Sequence, residues 1–60
     1  MIITLKDGSK KEYANEMSVY DIALDISEGL ARAACAGEVN GKVVDLRTVL
    51  KEDCELNILT

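Results

Sequence analysis

The sequence predicts an α+β domain in which a sheet packs against one amphipathic helix. Three observations carry this reading. Asn40-Gly41 separates two short apolar runs, Cys35 to Val39 and Lys42 to Leu46. Both residues tolerate the positive φ that a type I′ turn demands, so the dipeptide marks a hairpin. Asp7-Gly8 marks a second hairpin, joining Met1 to Lys6 with Ser9 to Ala14. Between the hairpins lies a stretch with helical spacing and a clear start signal.

In the first segment Met1, Ile3 and Leu5 share the core face under a two-residue repeat, with Ile2, Thr4 and Lys6 opposite. The return strand through Glu12, Tyr13 and Ala14 has Tyr13 as its one large side chain, expected to pack with its hydroxyl near water. Ser18 is the expected N-cap, and Asp21 three residues later complements the helix dipole as a shorter stand-in for the glutamate of a capping box. Met17 and Ile22 occupy the staple positions. Val19, Ile22, Ala23 and Ile26 form the buried stripe, leaving Asp21, Asp25 and Glu28 on the wet side. Gly29 is expected to end the helix in the left-handed conformation, with Leu30 folding back on the last turns.

Leu30 to Ala34 reads as a short helical or irregular connector, and the next strand as Cys35 to Val39. Gly37 inside that strand implies a bulge or a close backbone approach. After the second hairpin, Asp45, Arg47 and Thr48 mark a loop and Val49-Leu50 a single helical turn. The last strand, Cys54 to Thr60, alternates Cys54, Leu56 and Ile58 on the core face with Glu55, Asn57 and Leu59 outside. Leu59 is expected as an exposed apolar residue facing a following domain.

Sixty residues make one domain, 1–60, with 48% apolar residues, two Tyr and no Phe or Trp. A chain this short buries only about 60% of its unfolded surface, so the core is thin and the stability a few kcal/mol at most, on the order expected of small domains. No run reaches the ~20 apolar residues that span a bilayer and no signal peptide is apparent, which gives a cytoplasmic expectation. The net charge of −4 opposes attraction to phosphate backbones and anionic membranes. Cations gather at Lys6, Lys10 and Lys11 around the first turn, while Glu52, Asp53 and Glu55 make the end acidic. Cys35 and Cys54 form no CxxC, and no histidine exists to complete a zinc site. Both cysteines are expected reduced and buried in strands.

Catalysis needs a positioned acid, base or nucleophile, and none can be assembled here. Asp21 and Asp25 are four apart on the helix, but helix-start electrostatics and solubility account for them. The glycines at 8, 29, 37 and 41 are dispersed among turns and build no phosphate cradle. Two tyrosines do not make a base-stacking platform.

The order strand, hairpin, helix, hairpin, strand resembles the β-grasp or ubiquitin-like fold, which implies a mixed sheet with first and last strands parallel at its centre. More specific are Ile3-Thr4-Leu5-Lys6-Asp7-Gly8-Ser9, Asp21-Ile22-Ala23-Leu24-Asp25-Ile26, Gly29-Leu30-Ala31, Gly37-Glu38-Val39-Asn40-Gly41 and Val44-Asp45-Leu46. In that order they resemble the TGS domain at the N-terminus of bacterial threonyl-tRNA synthetases, over nearly all of the chain. TGS domains also occur in Rel/SpoT stringent-response enzymes and Obg-related GTPases, where a regulatory, ligand-sensing role is the alternative. Met1 directly before the first strand, the Asp-Ile-Ala-Leu-Asp-Ile helix and the stop at Thr60 favour the synthetase version, with an editing domain to follow. A sulfur-carrier protein of the same fold would need a C-terminal Gly-Gly, and this chain ends Leu59-Thr60.

The resemblance implies a non-catalytic module of an ATP-dependent ligase that joins threonine to its tRNA. It also implies that threonine, ATP and a catalytic zinc are held by later domains, leaving this one without a cofactor. A docking role beside the editing domain follows, with the tRNA acceptor arm as a weak partner. Lys6, Lys10 and Lys11 are the candidates for phosphate contact.

Overall fold

A computed structural model describes residues 1–60. Seven strands and two helices follow the order β1 (Ile2–Leu5), β2 (Lys10–Glu12), β3 (Met17–Ser18), α1 (Val19–Ile26), α2 (Glu28–Ala33), β4 (Ala36–Val39), β5 (Lys42–Val44), β6 (Val49–Leu50) and β7 (Cys54–Leu59). The main sheet has five strands in the order β2-β1-β7-β4-β5. β1 and β7 run parallel at its centre, while every other neighbouring pair is antiparallel. This is the mixed sheet of the β-grasp arrangement, and β3 and β6 form a separate two-stranded ribbon.

One side of the sheet is covered. Ile3, Val19, Ile22, Leu50 and Leu56 form the buried cluster, with Met1, Leu5, Tyr13, Met17, Ile26 and Ile58 among those packed around it. Only 8 of 60 residues are buried, so each large core side chain carries much of the stability.

Both expected turns form. Asn40 and Gly41 have φ of 49° and 85°, as a type I′ hairpin requires. At the first hairpin Gly8 has φ of 91°. The Gly8 N–H donates to the Leu5 carbonyl at 3.0 Å and the Leu5 N–H to the Ser9 carbonyl at 2.8 Å. That pattern is a type I turn closed by a left-handed glycine. Ser18 caps α1, its hydroxyl accepting the Asp21 N–H at 3.1 Å.

The helix ends differently from the expectation. Ser27, with extended φ of −169°, breaks it after Ile26, and Gly29 lies inside α2 without a positive φ. The Ser27 N–H donates to the Ala23 carbonyl at 2.9 Å, and its hydroxyl accepts the Leu30 N–H at 3.1 Å. One serine thus ends α1 and caps α2, so no left-handed residue is needed. Of the two states open to Leu30–Ala34, helical or irregular, the helical one holds for Leu30 to Ala33, and Ala31 is buried.

Val49-Leu50 is a strand rather than a helical turn. Leu50 pairs with Met17 and Val49 with Ser18, which places Leu50 in the core. Tyr13 lies just beyond β2, and Cys35 just before β4. Cys35 is exposed rather than buried, whereas Cys54 is half-buried at the start of β7. Leu59, expected exposed, is half-buried, and its carbonyl accepts the Cys35 N–H at 2.8 Å.

Gly37 is a close approach and not a bulge, since β4 keeps continuous register with β7 from Ala36↔Leu59 to Val39↔Leu56. A Cβ at Gly37 would lie 2.7 Å from Val19 Cγ1. The glycine lets the start of α1 seat directly on the sheet.

Candidate functional surface

Strand register sorts the side chains onto two faces, because cross-strand partners point the same way. Ile3, Lys11, Cys54 and Leu56 share the helix-covered side through the pairs Ile3↔Lys11, Ile3↔Cys54 and Val39↔Leu56. Thr4, Lys10, Glu55, Asn57 and Glu38 share the other through Thr4↔Lys10, Thr4↔Glu55 and Glu38↔Asn57. Ile2 with Glu12, and Val43 with Glu38, extend this uncovered face to both edges.

The three candidate lysines are therefore divided. Lys6 is exposed in the first turn, Lys10 is exposed on the uncovered face, and Lys11 lies half-buried on the helix-covered side at the outer strand. They do not form one flat patch.

The uncovered face is acidic. Glu12, Glu38 and Glu55 lie on it with Lys10 as the one cation contributed by its strands. The ion pairs of the molecule lie elsewhere, joining Arg32 to Glu28 and Arg47 to Asp45, each at 4.0 Å. None of the three glutamates has a cationic partner within the chain. Glu38 and Glu55 are diagonal neighbours on adjacent strands, a relation that sets like side chains about 7–8 Å apart. Around them a shallow polar depression of about 360 Å³ is lined by Thr4, Lys6, Glu38, Glu55 and Asn57.

The backbone at Glu55 is fixed by the second hairpin. The Asn40 N–H donates to the Glu55 carbonyl, and the Glu55 N–H donates to Asn40 Oδ1, both at 2.9 Å. At the opposite end of the face the Ile2 N–H donates to Asp53 Oδ1 at 2.7 Å, which ties another carboxylate to β1. Glu38 was not legible as a surface residue of interest, because its relation to Glu55 depends on the pairing of two strands distant in sequence.

The perturbed ionisable groups are structural. The Tyr13 hydroxyl donates to Asp25 Oδ2 at 2.9 Å. Partial burial, then the Asp25 carboxylate, pushes its pKa up to about 12. Asp7 is held below the usual carboxylate range by the Ser9 hydroxyl and then the Ser9 N–H, which fasten the first turn. Burial raises the Cys54 thiol, with Asp53 and Glu52 adding to it, so the thiolate is disfavoured. No three His, Cys, Asp or Glu side chains come together in a set that could hold a metal ion. No helix is long and apolar enough to cross a membrane.

Comparison with known proteins adds family membership. The TGS domain family profile matches residues 1–60. The chain is 64% identical over 58 residues to a threonine–tRNA ligase of Clostridium botulinum (strain Eklund 17B / Type B), covering 97% of this chain and 9% of that protein. It is 53% identical over 60 residues to a threonine–tRNA ligase of Caldanaerobacter subterraneus subsp. tengcongensis, covering 100% of this chain and 9% of that one. With that of Hahella chejuensis the identity is 52% over 59 residues, covering 98% and 9%. The chain thus spans about a tenth of the length of these relatives. A β-grasp sheet with parallel central strands and a family match from the first residue to the last lead to one conclusion: the chain belongs to the TGS domain family.

Proposed function

We propose that this chain is a non-catalytic accessory module of a cytoplasmic threonine–tRNA ligase, docked beside the editing domain with the tRNA acceptor arm nearby. The observation that carries the reading is the 64% identity across 97% of the chain to a protein named for that reaction. The chemistry of the chain supports the accessory role. It has no histidine, and its perturbed groups serve packing and turns. In this reading threonine, ATP and zinc are held by the nine-tenths of the ligase that lies outside the domain.

The test removes residues 1–60 from the full-length ligase that carries them. Threonine-dependent ATP–pyrophosphate exchange should stay within about threefold of the intact enzyme, because no group of the domain touches the reacting atoms. Hydrolysis of mischarged tRNA should fall severalfold as the editing domain loses its neighbour. A hundredfold loss of exchange would overturn the accessory role, and unchanged hydrolysis would overturn the docking beside the editing domain.

A further inference from the structure

We propose that the uncovered sheet face, centred on Glu38 and Glu55, is the docking surface of this domain, and that its occupant is a basic protein segment from elsewhere in the same polypeptide. The inference rests on the reading of the chain as one module of a larger ligase, and it adds which face docks and what chemistry meets it.

Three features point to a protein partner that is basic. The face carries apolar side chains among its charges, with Ile2 39% and Val43 60% exposed at its two ends. Apolar side chains gain from being covered by a protein surface, whereas a phosphate backbone offers them little. Next, Glu38 and Glu55 sit diagonally on neighbouring strands without a cation of this chain in ion-pair range, and like charges so placed disfavour one another. A lysine or arginine entering the depression between them would relieve that repulsion, and an arginine could do so bidentately. Lys6, which lines the depression from the β1 end, and Lys10 on β2 lie toward one side, which leaves the β7–β4 side acidic and gives the partner an orientation.

The same charges disfavour the other occupants. RNA phosphates and anionic lipid headgroups would meet Glu12, Glu38 and Glu55. A second copy would bring the same glutamates against themselves, on chains of net charge −4 each. The relatives are more than ten times the length of this domain, so a basic surface held on the same chain has a high effective concentration.

The test uses the full-length ligase with two readouts. A carbodiimide activates a carboxylate as an O-acylisourea, which a lysine amine in contact attacks to form an amide while the reagent leaves as its urea; it should join Glu38 or Glu55 to a lysine beyond residue 60 of the same polypeptide. Independently, E38K/E55K should raise the rate at which a protease releases the domain by threefold or more. The uncharged, near-isosteric E38Q/E55Q should give a smaller increase, with the circular dichroism of the enzyme unchanged. Arginine is silent to carbodiimide, so the proteolysis readout covers that case. Absence of both effects would overturn the proposal. So would cross-links between two polypeptides, or cross-links and protection that appear only with tRNA bound. Intact ATP–pyrophosphate exchange in the domain-deleted ligase, with neither effect seen here, would leave the accessory reading standing and remove only this docking face.

Discussion

Replacing Gly37 with alanine tests how the helix is seated on the sheet. The new Cβ would fall 2.7 Å from Val19 Cγ1, 3.2 Å from Val19 Cγ2 and 3.4 Å from Leu56 Cδ1. Carbon atoms prefer about 3.5–4.0 Å, so the first contact is short by nearly 1 Å. Val19 cannot turn aside, because it is β-branched and fully buried and rotation would exchange one methyl for the other. Leu56 closes the opposite side and is 2% exposed. Overpacking of this kind costs about 1–3 kcal/mol, and alanine recovers about 0.4–1 kcal/mol by restricting the unfolded chain. Mid-range values of about 2 and about 0.7 kcal/mol leave a net loss of about 1.3 kcal/mol. For a domain of this size that lowers Tm by roughly 5–10 °C, read by thermal or urea unfolding followed by circular dichroism. Trimming Val19 to alanine makes room for the new methyl, so G37A/V19A should be at least about 0.5 kcal/mol more stable than the sum of the single changes. A Gly37→Ala protein that melts at or above the parent, or strict additivity in the double variant, would show that Val19 does not confine this position.

Four further outcomes follow from local geometry. Asn40→Ala should cost about 1.5–2.5 kcal/mol in urea unfolding, combining positive-φ strain with the lost bond to the Glu55 N–H, while Asn40→Gly keeps the turn and should cost about half that. Ser27→Ala should cost about 1 kcal/mol as the cap of α2 is lost, whereas Gly29→Ala should stabilise by about 0.5–1 kcal/mol, its nearest new neighbour being Ser27 Oγ at a comfortable 3.6 Å. Tyr13 titrates at 10.0 in the unfolded reference and about 12 in the folded chain, so its stabilisation is complete below pH 10. It is lost as pH rises through 12, because only the unfolded state ionises in between, and Tyr13→Phe should flatten the alkaline fall in unfolding midpoint. In the full-length ligase, changing Lys6, Lys10 and Lys11 to Gln should reduce the salt slope of tRNA binding by no more than about 0.9–1.8, since Lys10 and Lys11 project from opposite faces of β2. A reduction near 2.7 would mean that all three meet the backbone at once.

What the sequence discloses is local chemistry. The Asn40-Gly41 turn, the Ser18 cap and the stripe of Val19, Ile22 and Ala23 are each set by residues within a few positions of one another, and each is present in the structure. Gly37 inside a strand is legible as a bulge or a close approach, and only the structure chooses the second, because its partner Val19 lies far away along the chain. The helix break was not legible. Ser27 and Gly29 both offer helix terminators, and in the structure Ser27 ends α1 and caps α2, the helix that carries the buried Ala31. Val49-Leu50 is too short to show a period, and its strand state comes from pairing with Met17 and Ser18. Cys35 looked like a strand cysteine because the turn at Asn40 demanded a strand nearby, yet four residues from Ala36 satisfy that demand. The acidic face was least legible of all, since Glu38 and Glu55 meet only through the β4–β7 register.

Whether this TGS domain is one module of a threonine–tRNA ligase, as proposed above, is read from the sequence of its gene through and beyond the Thr60 codon. The expected result is an open frame that continues into an editing domain and then the ligase's catalytic body. A stop codon after Thr60, or a continuation into a GTPase or a stringent-response enzyme, would contradict it.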